Sequence, residues 1–329
     1  MDFHAEFFPK PFPVKINLRQ NLLLVGSCFT EQIGHKLGQH KFTVMENPNG
    51  ILFNPVSISN AVRSYAARKM YTEDELFYYN ELWGSWQHHT KFSSIDKQQS
   101  LDAINASQQK ASAFIHDADW ILLTLGSAFI YEDTMLENKG NYEQVVANCH
   151  KVPADKFNRR LLDTTEIKNV LAAMMQDVKK INPAVNFIFT ISPVRHLREG
   201  FIENNRSKAA LIQAVHALVN ELDIFYFPAY ELVIDDLRDY RFYAEDMVHP
   251  NYAATNYVWE KFIGCCIDET SQQLMKEIAV IVAARNHKAF NPTSEQHKKF
   301  MQVSLEKLKI IEQKHPYINF SEEATFFKQ

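Results

Sequence analysis

Acyl transfer at neutral pH needs a hydroxyl or thiol that attacks, an imidazole that takes its proton, and a carboxylate that fixes the imidazole tautomer. Two short stretches supply these types. Leu22-Leu23-Leu24-Val25-Gly26-Ser27-Cys28-Phe29-Thr30 places a serine and a cysteine directly after an apolar run, and Asp246-Met247-Val248-His249-Pro250 sets a carboxylate three residues before an imidazole. At that spacing Asp246 can accept from one ring nitrogen of His249 while the other faces outward, and Pro250 fixes the exit of the loop. A serine hydroxyl becomes a nucleophile only with such a base beside it. Each stretch alone also has a plainer reading, since Gly-Ser after a strand is a common N-capping turn and Asp-x-x-His can be a helix cap.

The elements that must position these residues follow from periodicity. Leu22–Val25 reads as a buried strand that stops at Gly26-Ser27 and runs into a helix over 30–39, with a second strand at 42–45, the size of a βαβ unit. A loop through Asn47-Pro48-Asn49-Gly50 ends with Asn54 as N-cap and Pro55 at the first position of a helix over 56–68. Residues 71–94 crowd Phe77, Tyr78, Tyr79, Trp83, Trp86, His88 and His89 without a clean period, an aromatic insertion expected to cover one end of the sheet. A helix over 96–115 leads to a buried strand at 120–125 closed by Gly126-Ser127. A β-hairpin is expected over 129–146 around Asn138-Lys139-Gly140-Asn141. Asp163-Thr164-Thr165-Glu166 is a capping box opening a helix to about 180. A fourth strand at 185–191 ends in Ser192-Pro193-Val194-Arg195-His196, a helix follows over 209–222, and a fifth strand sits at 224–227. Alternating strands and helices predict a doubly wound α/β sheet whose post-strand loops share one face. Residues 1–20 read as an extended lead-in, and residues 265–329 as a helical extension with helices at 269–285 and 294–312.

The totals narrow the class. The chain has 329 residues, 46% of them hydrophobic and 22% charged, a net charge of -4 and a pI near 6.4. That is a globular composition without the basic face that phosphate neutralisation requires, so nucleic acid is not an expected partner. No apolar run approaches the ~20 residues of a membrane helix, and the N-terminal residues lack a signal-peptide pattern. Cys28, Cys149, Cys265 and Cys266 have no CxxC spacing, so a reducing cytoplasm is expected and no metal or other cofactor is implied.

These motifs resemble the GSCFA family, whose name-giving sequence is matched by Gly26-Ser27-Cys28-Phe29, with Thr30 where the family often has Ala. The likeness continues through Asn47-Pro48-Asn49-Gly50 with Asn54-Pro55, Thr124-Leu125-Gly126, Asn148-Cys149-His150-Lys151, Ser192–His196 and Asp246–Pro250, over roughly residues 7–263. It implies a three-layer, flavodoxin-like SGNH hydrolase fold with about five parallel strands, in residues 1–264. It also implies Ser27 as nucleophile, His249 as base, Asp246 as its orienter, and an oxyanion hole from the Ser27 and Gly50 N–H groups. The asparagine that SGNH enzymes use as third donor is replaced by Ala128, and Asn54 or a histidine of the aromatic insertion is the expected substitute, unless Asn54 is only the N-cap ahead of Pro55.

Around this centre His88, His89, Arg195, His196 and Gly126 are candidates for substrate contact, with Arg195 suited to a carboxylate or phosphate unless a local acid pairs it. Cys28 is the neighbouring rival nucleophile, expected to point into the core. The reading is a serine esterase or deacylase acting on an O-acyl ester of a glycan or small metabolite. Acyl transfer on the same site, a non-catalytic ligand-binding module of the same fold, and an assembly factor docking through its helical tail are the alternatives.

Overall fold

In the computed structural model, residues 4–134, 142 and 144–328 are described. Among these residues ten strands and ten α-helices follow one another as β1 (Asn21–Gly26), α1 (Cys28–Gln39), β2 (Thr43–Glu46), α2 (Pro55–Ala66), β3 (Phe77–Tyr79), β4 (Leu82–Gly84), α3 (Lys97–His116), β5 (Trp120–Leu125), β6 (Phe129–Asp133), β7 (Val145–Val146), β8 (Phe157–Leu161), α4 (Thr164–Ile181), β9 (Asn186–Ile191), α5 (Phe201–Glu221), β10 (Phe225–Tyr226), the single turn α6 (Ala229–Glu231), α7 (Tyr252–Cys266), α8 (Glu269–Asn286), α9 (Glu295–Lys314) and α10 (Ser321–Phe327). Among the described residues no helix is long and apolar enough to cross a membrane.

Five of the strands form one parallel sheet in the order β10-β9-β5-β1-β2. Counted along the chain that order is 2-1-3-4-5, the flavodoxin-like arrangement expected above. Strand alternation builds a core on each side, since successive side chains face opposite ways. Leu22 and Leu24 of β1 join Ile33, Leu37 and Phe262 on one face, while Leu23 and Val25 join Val62, Leu171 and Leu211 on the other. The α8–α10 helices belong to the first core, with Leu274, Ile278, Leu308, Ile311 and Phe327 packed in the same cluster as Leu37 and Phe42. Glu323, 1% exposed, pairs with Lys41 at 2.7 Å across that seam. The lead-in is tied down by Phe12 N–H to the Cys265 carbonyl and Ile16 N–H to the Cys266 carbonyl.

Several local expectations change. The pairing of β6 with β7 is present, but β8 joins it as a third antiparallel strand, and the expected turn at Asn138–Asn141 lies outside the described residues. The α5 helix begins at Phe201 rather than 209, because Phe201 and Ile202 are exposed and the polar run 203–208 that follows them masks the helical period. Inside the aromatic insertion β3 and β4 make a small hairpin, and the Phe77 and Trp86 rings stack at 3.7 Å. The short α10 was not anticipated.

Candidate functional site

In an open α/β sheet the ligand crevice lies outside the carboxyl ends of the strands where the strand order reverses, here between β1 and β5. Ser27 follows β1 and Gly126 follows β5, so the topology puts the motif serine at that point. Gly26 has φ +150°, and a Cβ there would collide with the Thr124 carbonyl of β5. The turn therefore needs glycine. Ser27 then caps α1, its Oγ accepting the Phe29 N–H at 3.3 Å, while its own N–H donates to the Thr124 carbonyl at 3.3 Å. The residue is fully buried.

The Asp246–His249 pair forms as its spacing predicts. Asp246 Oδ1 accepts the N–H groups of Val248 and His249 at 2.9 and 3.0 Å, and Oδ2 contacts His249 Nδ1 at 2.7 Å. These contacts hold the Asp246 carboxyl down at about 2, with the His249 backbone N–H the largest cause. Met247 takes φ +58° to close the turn, a local strain that non-glycine residues seldom bear. Arg195 N–H donates to the Val248 carbonyl at 3.2 Å, joining this loop to the one after β9. His249 is about two-fifths exposed. Among the described residues Ser27 and His249 share no hydrogen bond, so the Asp-His half is assembled and the Ser-His link is not.

A lysine that the sequence reading passed over lies underneath. Lys208 of α5 is 1% exposed, and its Nζ donates to the carbonyls of Gly126 and Ser192, both at 2.7 Å. Burial pushes it down to about 7, and a neutral amine has two N–H donors for these two acceptors. It ties the loop after β5 to the loop after β9. Lys208 shares the buried face of α5 with Leu211, Val215 and Leu218, a spacing that marks a lysine at a core position only once the helix is begun before 209.

His196 and Arg195, adjacent in sequence, serve different cavities. His196 lies over Gly126, where a Cβ would come within 3.0 Å of its Nε2, and meets Phe53 edge-on at 5.2 Å. Its Nε2 is buried without a hydrogen-bond partner, and burial, with Lys208 and His249 nearby, holds it neutral down to about 3. Its backbone N–H is held by Asn204 Oδ1 at 2.9 Å. The ring walls a cleft of about 500 Å³ with Phe53, Asn54, Phe129, Tyr131 and Phe157 among its sides. Arg195 instead stacks on Tyr243 and Tyr240, 4.1 and 5.0 Å from their ring centres, beside a separate cavity of about 270 Å³.

Other expected site residues are placed elsewhere or engaged. The Gly50 N–H donates to the Asn47 carbonyl at 2.7 Å, so it is not free for an oxyanion. Asn54 caps α2, its Oδ1 accepting the Ser57 N–H and its Nδ2 donating to Ser57 Oγ, as the plainer alternative had it. The Gly126 N–H donates to the Phe53 carbonyl. His89 packs against Gly50 and is not among the residues walling the cleft of His196. His88 is buried against Ser85 Oγ, with Tyr71 and Phe92 edge-on. Cys28 is half-buried rather than in the core, and burial followed by Glu31 raises its thiol, which disfavours the thiolate a sulfur nucleophile needs. Among the described residues no cluster of His, Cys, Asp and Glu could hold a metal ion.

Comparison with known proteins agrees with the motif reading. The model described as the GSCFA family matches residues 21–262, and one described as GSCFA domain protein, C-terminal domain, matches residues 278–329. Among solved structures the chain is similar to a carbohydrate esterase family 3 protein from Talaromyces cellulolyticus, with a TM-score of 0.38 and 10% identity, covering 78% of this chain and 99% of that one. No curated protein matches the sequence.

Proposed function

This chain belongs to the GSCFA family, and we propose that it transfers or hydrolyses O-acyl groups at the carboxyl end of its sheet, with Ser27 as nucleophile, His249 as base and Asp246 as orienter. The observation that carries the reading is the Asp246–His249 contact of 2.7 Å, on the sheet end where Ser27 lies. With Nδ1–H donating to Asp246, His249 keeps Nε2 free as an acceptor. It takes the proton of the Ser27 hydroxyl as Oγ bonds to the ester carbonyl carbon, then returns that proton to the departing alkoxide. Water reverses the sequence to release the acid, and an alcohol in its place gives acyl transfer. The hydroxyl must first turn away from the Phe29 N–H. The aromatic walls of the cleft beside His196 support an O-acylated glycan or small metabolite as substrate, and the free cysteines support a reducing, cytoplasmic setting.

A second reading, a ligand-binding module without turnover, is favoured by the burial of Ser27 and the engagement of the Ser27 and Gly50 amides. Labelling with a fluorophosphonate probe, located by peptide mass spectrometry, separates the two. The esterase reading expects a phosphonylated Ser27 in the wild type and none in Ser27→Ala or His249→Ala. A folded wild type that takes no label leaves the binding module.

A further inference from the structure

A second cleft lies wholly within residues 285–328, where the end of α8, the connection to α9, the first half of α9 and the end of α10 enclose about 990 Å³. Its floor is apolar: Met301 and Leu305 of α9 with Phe326 and Phe327 of α10, all packed on or within the first core. Its rim is basic. Arg285, His287, Lys288, His297, Lys298 and Lys328 line it, and among the described residues no acidic one does, in a chain whose net charge is -4. Arg285 is tied to Glu322 and Lys298 to Glu295. Lys288 and Lys328 have no carboxylate partner among the described residues, which leaves two cations for a ligand. The first turn of α9, whose amides add positive potential, faces the same space through His297 and Lys298.

We propose that this cleft binds a single-chain acyl anion, the chain lying on Met301, Leu305, Phe326 and Phe327 and the carboxylate meeting Lys288 and Lys328. Charge complementarity selects the anionic head, because it gains the attraction of two lysines that a neutral amphiphile does not. The floor selects a chain over a bare anion. Methionine and leucine present an adaptable apolar strip, and each buried methylene tightens binding by about fourfold. The volume is within the ~300–1,000 Å³ of small-molecule sites. The inference does not depend on the esterase reading, since none of these residues belongs to the Ser27 end of the sheet.

The test is calorimetric titration of the full chain with dodecanoate below its micellar concentration, beside dodecyl maltoside, dodecylammonium and butyrate. A diazirine-bearing dodecanoate mapped by peptide mass spectrometry locates the site. Dodecanoate is expected to bind at one site and crosslink within residues 285–328, with the other three bound far more weakly. The double charge reversal replaces two attractions by two repulsions, so Lys288→Glu with Lys328→Glu, both on the surface, should weaken dodecanoate by about tenfold or more. Fluorophosphonate labelling should stay unchanged. Equal affinity for dodecanoate and dodecyl maltoside, unchanged affinity in the double variant, crosslinks outside 285–328, or butyrate binding as well as dodecanoate would each overturn the proposal.

Discussion

Replacing Lys208 by methionine should change stability in a way that depends on pH. In the folded chain the Lys208 amine loses its proton near 7, because burial disfavours the charged form, against an ordinary value of 10.5. Between those values the unfolded chain binds one more proton than the folded one, so wild-type stability rises with pH across that window. From pH 7 to pH 9 the rise amounts to about 2–3 kcal/mol, at about 1.4 kcal/mol per pH unit. Methionine keeps most of the side-chain volume but removes both donors, leaving the Gly126 and Ser192 carbonyls unanswered at about 1–3 kcal/mol each. Below pH 7 that loss is largely offset, since the variant no longer buries an ammonium. Urea unfolding followed by circular dichroism at pH 6.5 and pH 9 measures the effect. The wild type should exceed Lys208→Met by a small margin at pH 6.5 and by about 2–3 kcal/mol more at pH 9. A margin that is the same at both values, or that shrinks with pH, would refute the argument and mean that the lysine is charged throughout.

Asp246→Asn removes the acceptor of His249 Nδ1, and fluorophosphonate labelling of Ser27 should slow by about 10³-fold or more, while the melting temperature hardly moves on so exposed a loop. Because the Asp246 carboxyl is held at about 2, any loss of labelling between pH 7 and pH 4 should persist in Asp246→Glu as well; a profile that moves with this substitution would assign the titration to the carboxyl. Gly126→Ala forces His196 or Phe53 aside and should cost about 1–3 kcal/mol in thermal unfolding, a cost that His196→Ala in the same chain relieves. Lys41→Ala leaves Glu323 buried with only Arg285 at 3.6 Å and should destabilise the chain by about 3–5 kcal/mol; a change below about 1 kcal/mol would show that the C-terminal helices do not need this pair.

Local chemistry was readable from the sequence because it depends on neighbours in the chain. The apolar run before Gly26-Ser27, the Asn54-Pro55 start of α2, the capping box at Asp163 and the three-residue spacing of Asp246 and His249 each depend on contacts within a few residues. Five strand-helix alternations sufficed for the parallel sheet, since right-handed crossovers leave few topologies. What the letters could not supply were the contacts between loops that meet only after the sheet has formed. Gly50 and Asn54 have the residue types of oxyanion donors, yet the fold gives the Gly50 N–H to Asn47 and the Asn54 side chain to Ser57. Arg195 and His196 are adjacent in sequence, and the turn between them sends one to a tyrosine stack and the other over Gly126. Lys208 shows the division most plainly. It lies one residue before the helix expected over 209–222, so its place on the buried stripe of α5 was not read, and its partners are carbonyls more than a dozen residues away on two different strands' exits. A backbone carbonyl is the same in every residue, so only the tertiary structure decides which ones a buried amine will meet.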